Sequence, residues 1–297
     1  MFFIRHHDNI RLWRCRSFDE DRQKCGCLQC GLESALFSDL YRTFGRNAYG
    51  KSSAEEVECP KRIFLFMQNS VDLSISKLGN ADLESPLRQL LSQRCGEVHF
   101  TKDIRKVYFN IDLENGKPDP DAALLEVAGP REKIYFDPEK TSAAIVTCGG
   151  ICPGINDVIR ALVMTLFYRY GVQRILGIRY GYQGFIKKYG HDPMELTPRA
   201  VSSIHKLGGT ILGTSRGSQD KSEIVDFLIH NKIDILFVIG GDGTQRGALE
   251  IAQLAEKRKS KISVIGIPKT IDNDIQYLDQ TFGFATAVSE AVNTINM

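Results

Sequence analysis

Short apolar runs alternate with amphipathic stretches of helical period from about residue 141 onward. This alternation is typical of α/β proteins, in which a helix connects each parallel strand to the next. It predicts an α/β fold with a Rossmann-like parallel sheet and helices on both faces. The predicted strands are 143–147, 175–178, 233–239 and 262–267. Helices are predicted from 155 to Gly171, from 197 to Gly208, around 224–228, at 247–259 and from near Gly283.

The pattern before residue 141 is much weaker. Residues 1–100 show no sustained period and no repeat, and polar clusters such as 50–56 interrupt them. Turn-forming residues are frequent from 113 to 130, which is typical of a linker or a surface arm. The sequence therefore predicts an N-terminal extension, ordered only in part, over 1–100. A connecting arm over 101–140 and a domain over 141–297 follow it.

The composition is typical of a globular protein whose small net charge creates no strong overall electrostatic field. The chain has 42% apolar residues, 25% charged residues and a formal net charge of +2. The balance of 38 basic and 36 acidic residues argues against nucleic acid or a membrane surface as a partner. The longest apolar runs, 161–167 and 235–239, are far shorter than the roughly 18 residues that a membrane span requires. We therefore expect neither a nucleic-acid nor a membrane partner.

The start of the chain bears on location and on cysteine chemistry. Charged residues interrupt any apolar segment there, which argues against a secretory signal, while the Arg-rich first sixteen residues faintly resemble a transit peptide. We expect a cytoplasmic protein, with the plastid as the alternative. The eight cysteines form no evenly spaced framework, which fits a reducing compartment. Cys25, Cys27 and Cys30 are either zinc ligands or free thiols, and the lack of a second pair at ligand spacing favours free thiols.

Two glycine-rich segments follow predicted strands. In TCGGICPG (147–154), glycines let the backbone approach a phosphate, and the next helix offers unpaired N–H donors at its N-terminus. An ordinary tight turn explains this segment equally well. In GGDGT (240–244), Asp242 follows a buried strand and lies among small residues, which suits Mg²⁺ bound to nucleotide phosphates. The alternative is that Asp242 caps the following helix.

The most specific segment is PKTIDND (268–274), which places a cation, a hydroxyl and two carboxylates on one loop. Phosphoryl transfer to an alcohol needs a carboxylate base within reach of the attacking hydroxyl. We predict that Asp272 is this base and that Thr270 and Asp274 position it and the acceptor. A plain Asx-turn is the alternative. Arg216 is either a cation for the nucleotide phosphates or an ordinary loop arginine.

Taken in order, CGGICPGIND, GYQGF, GGTILGTSRG, GGDGTQRGA, PKTIDNDI and FGFATA resemble the 6-phosphofructokinases, and specifically the ATP-dependent plant type. The resemblance covers about residues 128–297. It implies that 141–297 is the ATP-binding domain of an allosteric, homo-oligomeric enzyme, a tetramer or a dimer. It further implies that this enzyme phosphorylates fructose 6-phosphate with ATP in glycolysis.

The resemblance also implies roles for individual residues, with Asp272 as the base and Asp242 as the ligand of Mg²⁺. The residues implied to bind ATP are Gly149, Gly150, Arg216, Gly217, Gly241, Asp242, Gly243, Thr244 and Lys269. Those implied to bind fructose 6-phosphate are Thr270, Ile271, Asp272 and Asp274.

Two positions bear on the phosphoryl donor. Relatives that use pyrophosphate carry an acidic residue at the position of Gly243, where it would repel the α-phosphate of ATP. Lys269 is shared with pyrophosphate users, but the plant ATP users combine it with a glycine, as this chain does. We predict ATP, with the pyrophosphate-dependent form as the alternative. One departure from many relatives is Gln183, which stands where they have arginine.

Two further functions compete with this prediction. GGDGT alone also occurs in NAD kinases and lipid kinases, but these lack PKTIDNDI and the CGG turn. The phosphofructokinase family continues past position 297 into a second, sugar-phosphate domain. We therefore expect this chain to be a truncated form with little activity of its own, because catalysis of this kind depends on positioning and electrostatics. A non-catalytic nucleotide-binding fragment or subunit is the main alternative.

Overall fold

A computed structural model describes residues 75–88, 100–108, 113–114, 117–118, 124–275, 278 and 280–296. Its strands are β1 (Leu83–Glu84), β2 (Lys106–Tyr108), β3 (Leu113–Glu114), β4 (Lys117–Pro118), β5 (Leu124–Glu126), β6 (Lys133–Ile134), β7 (Ser142–Thr147), β8 (Arg174–Ile178), β9 (Met194–Glu195), β10 (Ile235–Gly240) and β11 (Ser263–Pro268). Its α-helices are α1 (Ile155–Met164), α2 (Lys221–His230), α3 (Asp242–Lys257) and α4 (Phe284–Ile295). A π-helix over Thr165–Tyr170 continues α1, and 3₁₀ helices occupy Gly181–Phe185, Lys187–Tyr189 and Ile204–Lys206.

The central sheet has five strands in the order β11-β10-β7-β8-β9. Four of them, β7, β8, β10 and β11, are parallel, and the short β9 pairs antiparallel with β8. The predicted parallel sheet is therefore confirmed, and its four predicted strands lie within two residues of the observed ones. The sequence did not predict β9, because two residues are too few to show an alternating pattern.

Helices cover both faces of this sheet, as predicted. Every residue of β7 is buried, and its successive side chains point to opposite faces. Val146 packs with Ile224 of α2 and Ile251 of α3 on one face. Ile145 packs with Ile159 of α1 on the other face. Burial on both faces explains why this strand reads as a continuous apolar run rather than an alternating one.

The predicted helix from 197 to Gly208 is wrong. The segment contains turns and one 3₁₀ helix, Ile204–Lys206. Its hydroxyl side chains bond to nearby backbone: Thr197 Oγ1 accepts from the Ala200 amide at 3.2 Å, and Ser202 Oγ donates to the Arg199 carbonyl at 2.9 Å. Such bonds offer the backbone an alternative to the α-helix, which explains why the apolar spacing was misleading.

The predicted start of α3 at Gly247 is also wrong, because the helix begins five residues earlier, at Asp242. The amides of Thr244 and Gln245 both donate to the Gly241 carbonyl at 2.9 Å, so GGDGT forms the first helical turn. Glycines made this segment look like a loop, because they are poor helix formers. The helix predicted near Gly283 is confirmed, since Gly283 is the N-cap of α4.

Before residue 141 the described residues form three short antiparallel pairs, β1 with β6, β2 with β5 and β3 with β4. The division into an extension over 1–100 and an arm over 101–140 stays a prediction. Cys25, Cys27 and Cys30 lie outside the described residues. Within the described part of the chain, none of the helices has the length and apolarity that crossing a membrane requires.

Candidate active site

Three segments gather at the carboxyl edge of the parallel strands. The glycine turn follows β7, the first turn of α3 follows β10, and the 269–275 loop follows β11. The chain fills the sheet outward from β7, first through β8 and later through β10 on the other side. The strand order therefore reverses between β7 and β10, and open α/β sheets bind ligands in the crevice at such a point.

The glycine turn is held by backbone bonds from two neighbouring segments. Gly149 has φ 82°, a left-handed conformation that favours glycine. Its amide donates to the Ser215 carbonyl at 3.1 Å, and its carbonyl accepts from Thr214 Oγ1 at 2.7 Å. The Cys148 amide donates to the Ile239 carbonyl of β10 at 2.9 Å. These bonds fix the turn against the 213–217 loop and against β10.

The 213–217 loop brings the predicted cation to this turn. A Cβ placed on Gly150 would lie 3.9 Å from an Nη atom of Arg216, so the guanidinium lies beside the turn. Thr147 anchors the same loop, because its Oγ1 donates to the Gly213 carbonyl at 2.7 Å. Gly217 has φ 98° and is exposed, and a Cβ there would meet no atom within 4 Å. Gly150 and Arg216, both predicted to bind ATP, therefore lie next to each other, and Gly217 follows Arg216 in the same loop.

Asp242 lies in the first turn of α3, where its negative charge also complements the helix dipole. Gly241 is the N-cap and makes no side-chain capping bond, so Asp242 is not the cap that the alternative explanation required. In the described part of the chain, no hydrogen bond or ion pair engages the Asp242 carboxylate. Gly243 is exposed with open space at its Cβ position, while Thr244 is buried.

Lys269 joins the glycine turn to the loop after β11. It is only 5% exposed, and its Nζ donates to the Gly150 carbonyl at 2.6 Å. A Cβ on Gly149 would lie 3.9 Å from the same Nζ. Burial lowers the pKa of Lys269, and the positive charge of Arg216 lowers it further. Two cations therefore flank one glycine turn, which suits a polyanionic ligand such as a string of phosphates.

The 270–275 loop is shaped by hydrogen bonds to Thr270. Thr270 Oγ1 donates to Asp274 Oδ1 at 2.6 Å and accepts from the Asp272 amide at 3.1 Å. Asn273 has φ 53°, and its Oδ1 accepts from the Thr281 amide at 2.8 Å. Ile271 and Asp272 are exposed. In the described residues no group bonds to the Asp272 carboxylate, so the loop is fixed while this carboxylate stays available.

A family model for the phosphofructokinases (PFK: Phosphofructokinase) matches residues 142–297. The chain belongs to the phosphofructokinase family. The matched segment begins at the first residue of β7 and includes all three loops of the site. The family membership predicted from the motifs is therefore confirmed.

Several curated relatives of this chain are named ATP-dependent 6-phosphofructokinase. One from Borreliella burgdorferi is 46% identical over 234 residues, which cover 78% of this chain and 52% of the relative. One from Trypanosoma cruzi is 56% identical over 172 residues, covering 58% and 36%. ATP-dependent 6-phosphofructokinase 7 of Arabidopsis thaliana is 52% identical over 180 residues, covering 61% and 36%. The chain thus spans about half the length of these relatives or less.

Among solved structures, phosphofructokinase from Saccharomyces cerevisiae is 28% identical, with a TM-score of 0.45, covering 52% of this chain and 24% of that one. The family assignment therefore depends on the sequence matches rather than on superposition.

The donor set of the candidate site fits Mg²⁺ held by one carboxylate. Asp242 offers oxygen ligands at a helix N-terminus, and the open space at Gly243 leaves room for phosphate and water. Mg²⁺ commonly binds one or two carboxylates, several waters and the substrate phosphates. The described residues contain no group of three or more His, Cys, Asp or Glu side chains that would form an all-protein cage. A Mg²⁺ site whose ligands come partly from the nucleotide phosphates and from water does not need such a cage.

Two residues that contact the candidate site were not predicted from the sequence. Tyr182 of GYQGF is buried, and its Oη donates to the Thr244 carbonyl at 2.8 Å. Burial raises its pKa, and nearby Cys148 and Glu250 raise it further, so the hydroxyl stays protonated. Gln245 bonds to two strand carbonyls near the site. An aromatic residue or a glutamine beside a glycine motif gives no local signal that it will contact a strand end.

Proposed function

We propose that this chain carries the nucleotide-binding and phosphoryl-transfer part of an ATP-dependent 6-phosphofructokinase. The reaction transfers the γ-phosphoryl group of ATP to the 1-hydroxyl of fructose 6-phosphate. The observation that carries the proposal is the meeting of the glycine turn, Asp242 and the 269–275 loop at one sheet edge, tied by the Lys269–Gly150 bond. The names of the curated relatives support ATP and fructose 6-phosphate as its substrates.

In this proposal the cations bind the phosphates. Lys269 and Arg216 lie on either side of the glycine turn, where they neutralise negative charge on the transferring phosphoryl group. Asp242, with Gly243 and Thr244, holds Mg²⁺ and the nucleotide. The metal, when bound, adds positive charge to the phosphate oxygens. Gly149, Gly150, Gly217 and Gly241 let the backbone approach these groups closely.

Asp272 is the base in this proposal. Its backbone is fixed through Thr270, and its exposed carboxylate is available to accept the proton of the attacking hydroxyl. The loop also binds fructose 6-phosphate, through Thr270, Ile271 and Asp274. Because the hydroxyl oxygen attacks phosphorus as the bond to ADP breaks, the proton passes to Asp272 and the electron pair leaves on ADP.

ATP is the proposed donor rather than pyrophosphate. Space is open around Gly243, next to the metal ligand, and no acidic side chain stands there to repel a third phosphate. We also infer a cytoplasmic enzyme that forms a homo-oligomer. The plastid stays the alternative location, because one Arabidopsis relative, 56% identical over 169 residues, is named chloroplastic.

A second candidate function is nucleotide binding without turnover. It is favoured by the coverage of the relatives, since the chain spans only about half of their length or less. In this case Mg-ATP binds at the same candidate site, and catalysis requires residues that the relatives have elsewhere.

Both candidates are tested with the 297-residue chain, fructose 6-phosphate, Mg²⁺ and either ATP or pyrophosphate, following fructose 1,6-bisphosphate. If the first candidate is correct, we expect a small yield of product with ATP, loss of that product in Asp272→Asn, and unchanged Mg-ATP binding in that variant. Asp226→Asn is the matched control, because Asp226 forms only an exposed ion pair with Arg258. Mg-ATP binding without product favours the second candidate. Product from pyrophosphate alone would contradict the donor assignment.

A further inference from the structure

The side chain of Gln245 connects the two strands that carry the proposed metal ligand and the proposed base. It lies in the first turn of α3, three residues after Asp242. Its Nε2 donates to the Gly240 carbonyl at 2.8 Å and to the Ile267 carbonyl at 3.0 Å. Gly240 is the last residue of β10, and Ile267 is the last but one of β11. One amide group therefore bonds to the carboxyl ends of two neighbouring strands.

Gly266 makes room for this amide. A Cβ on Gly266 would overlap with Oε1 of Gln245 and lie 3.2 Å from its Cδ. Gly266 is buried, so a larger residue there would have no space except that of the Gln245 amide. The orientation of the amide follows from its partners, because only its nitrogen is able to donate to two carbonyl oxygens.

We propose that Gln245 is a positioning residue for phosphoryl transfer, a role that rests on the proposed function. Its two bonds fix the first turn of α3, which carries Asp242, relative to the loop that begins at Lys269. The proposed metal site and the proposed base then keep one separation and one orientation. A misplacement of about 1 Å is enough to reduce turnover roughly 100-fold.

The two hydrogen bonds from Gln245 Nε2 to the Gly240 and Ile267 carbonyls, here called the clamp, are distinct from the bonds that hold the sheet together. The Lys269 amide also donates to the Gly240 carbonyl, at 3.0 Å, and β10 pairs with β11 over six residue pairs. Without the Gln245 amide, these backbone bonds remain. We therefore expect loss of the two Gln245 bonds to change the geometry of the loops more than the stability of the fold.

Two variants remove the clamp in different ways. Gln245→Met keeps the length of the side chain and removes its donors. Gly266→Ala keeps the glutamine and displaces its amide, the far end of a flexible side chain. We expect each variant to lower kcat about 10- to 100-fold with Mg-ATP Kd changed less than about threefold. The double variant should lose no more than either single one, because both act on one contact. Gln253→Met, on the same helix, is the matched control.

Hydrogen exchange gives a readout that does not depend on turnover. In the wild-type chain, saturating Mg-ATP should slow exchange of the backbone amides of 270–275, because nucleotide bound at α3 is coupled to that loop through Gln245. The protection should persist in Gln253→Met and disappear in Gln245→Met and Gly266→Ala. If the chain binds Mg-ATP but makes no product, the proposed function fails and exchange alone decides the role of Gln245.

The proposal is overturned if Mg-ATP protects 270–275 equally in the clamp variants and in wild type. It is also overturned if 270–275 gains no protection in wild type, or if the two single variants show additive losses of turnover. A lower Tm with unchanged kcat per folded molecule would show a purely structural contact.

Discussion

Replacing Lys269 with methionine should show whether its buried positive charge serves ligand binding or the stability of the fold. The side chain is 5% exposed, and its Nζ donates to the carbonyl of Gly150, a residue that is itself exposed. Methionine preserves most of the buried apolar contact. The carbonyl that loses its partner is able to bond to water, so little is lost in the folded state. Removal of a buried ammonium also relieves its desolvation, so we expect the Tm to be unchanged or higher.

Nucleotide binding should change in the opposite direction. A hydrogen bond to a charged group contributes about 1.5–3 kcal/mol, which corresponds to roughly a 10- to 150-fold increase in the Kd of Mg-ATP. Calorimetric titration with Mg-ATP and thermal unfolding without nucleotide measure the two effects. Lys261→Met is the matched control, because Lys261 is exposed just before the other end of β11. A Tm lowered by several degrees with an unchanged Kd would refute the argument and show a structural tether.

The pH dependence follows from the same burial. The pKa of Lys269 in the folded state is lowered from the ordinary value of 10.5, mainly by desolvation. The unfolded chain therefore binds more protons between the two pKa values, and wild-type stability rises with pH across that window. The stability advantage of Lys269→Met should be largest below the folded pKa and should shrink as the pH rises towards 10.5. An advantage that grows with pH would contradict this.

Three further outcomes are expected. Gly243→Asp should weaken Mg-ATP binding at least tenfold while Gly243→Ala changes it little, since unit charges about 4 Å apart near a protein surface repel by about 4 kcal/mol before screening; equal Kd values from titration would contradict the donor argument. Thr147→Val should lower the free energy of unfolding in urea by about 1–3 kcal/mol, because it removes the part-buried bonds to the Gly213 carbonyl and to Thr210 Oγ1, whereas Thr294→Val, with an exposed hydroxyl, should change it little. Cys148, whose pKa burial raises to about 12, should resist iodoacetamide at pH 8 in the folded protein and react in urea, as peptide mass spectrometry would show; rapid native alkylation would mean that the glycine turn opens.

The sequence predicted the strands and the loops of the site well, for local physical reasons. A strand buried on both faces reads as an unbroken apolar run, and β7, β10 and β11 end in glycine or proline segments that stop it. Parallel strands bring their carboxyl ends to one edge, so the three motifs that follow these strands meet there. The positions of Asp242 and of the 269–275 loop at the sheet edge follow from the strand pattern alone.

Contacts between segments that are distant in the chain could not be predicted from the sequence. The bond from Thr147 to Gly213 and the clamp from Gln245 to Ile267 depend on which strand lies next to which, and hydroxyl or amide residues show no periodicity that reveals it. The helix prediction for 197–208 was wrong for a different reason. Its hydroxyl side chains bond to the neighbouring backbone, and this competition overrides an apolar spacing that otherwise indicates a helix.

The Lys269–Gly150 bond also bears on how the protein acquires its site during folding. It joins residues 119 positions apart, and Cys152 contacts the Phe282 carbonyl at 3.1 Å across 130 positions. Contacts of such high sequence separation form slowly, because a long chain segment must close before they contribute. Early helices and strand pairs therefore leave the crevice unformed. Recovery of Mg-ATP binding after dilution from denaturant should consequently be a late signal, appearing only when β11 has docked beside β10.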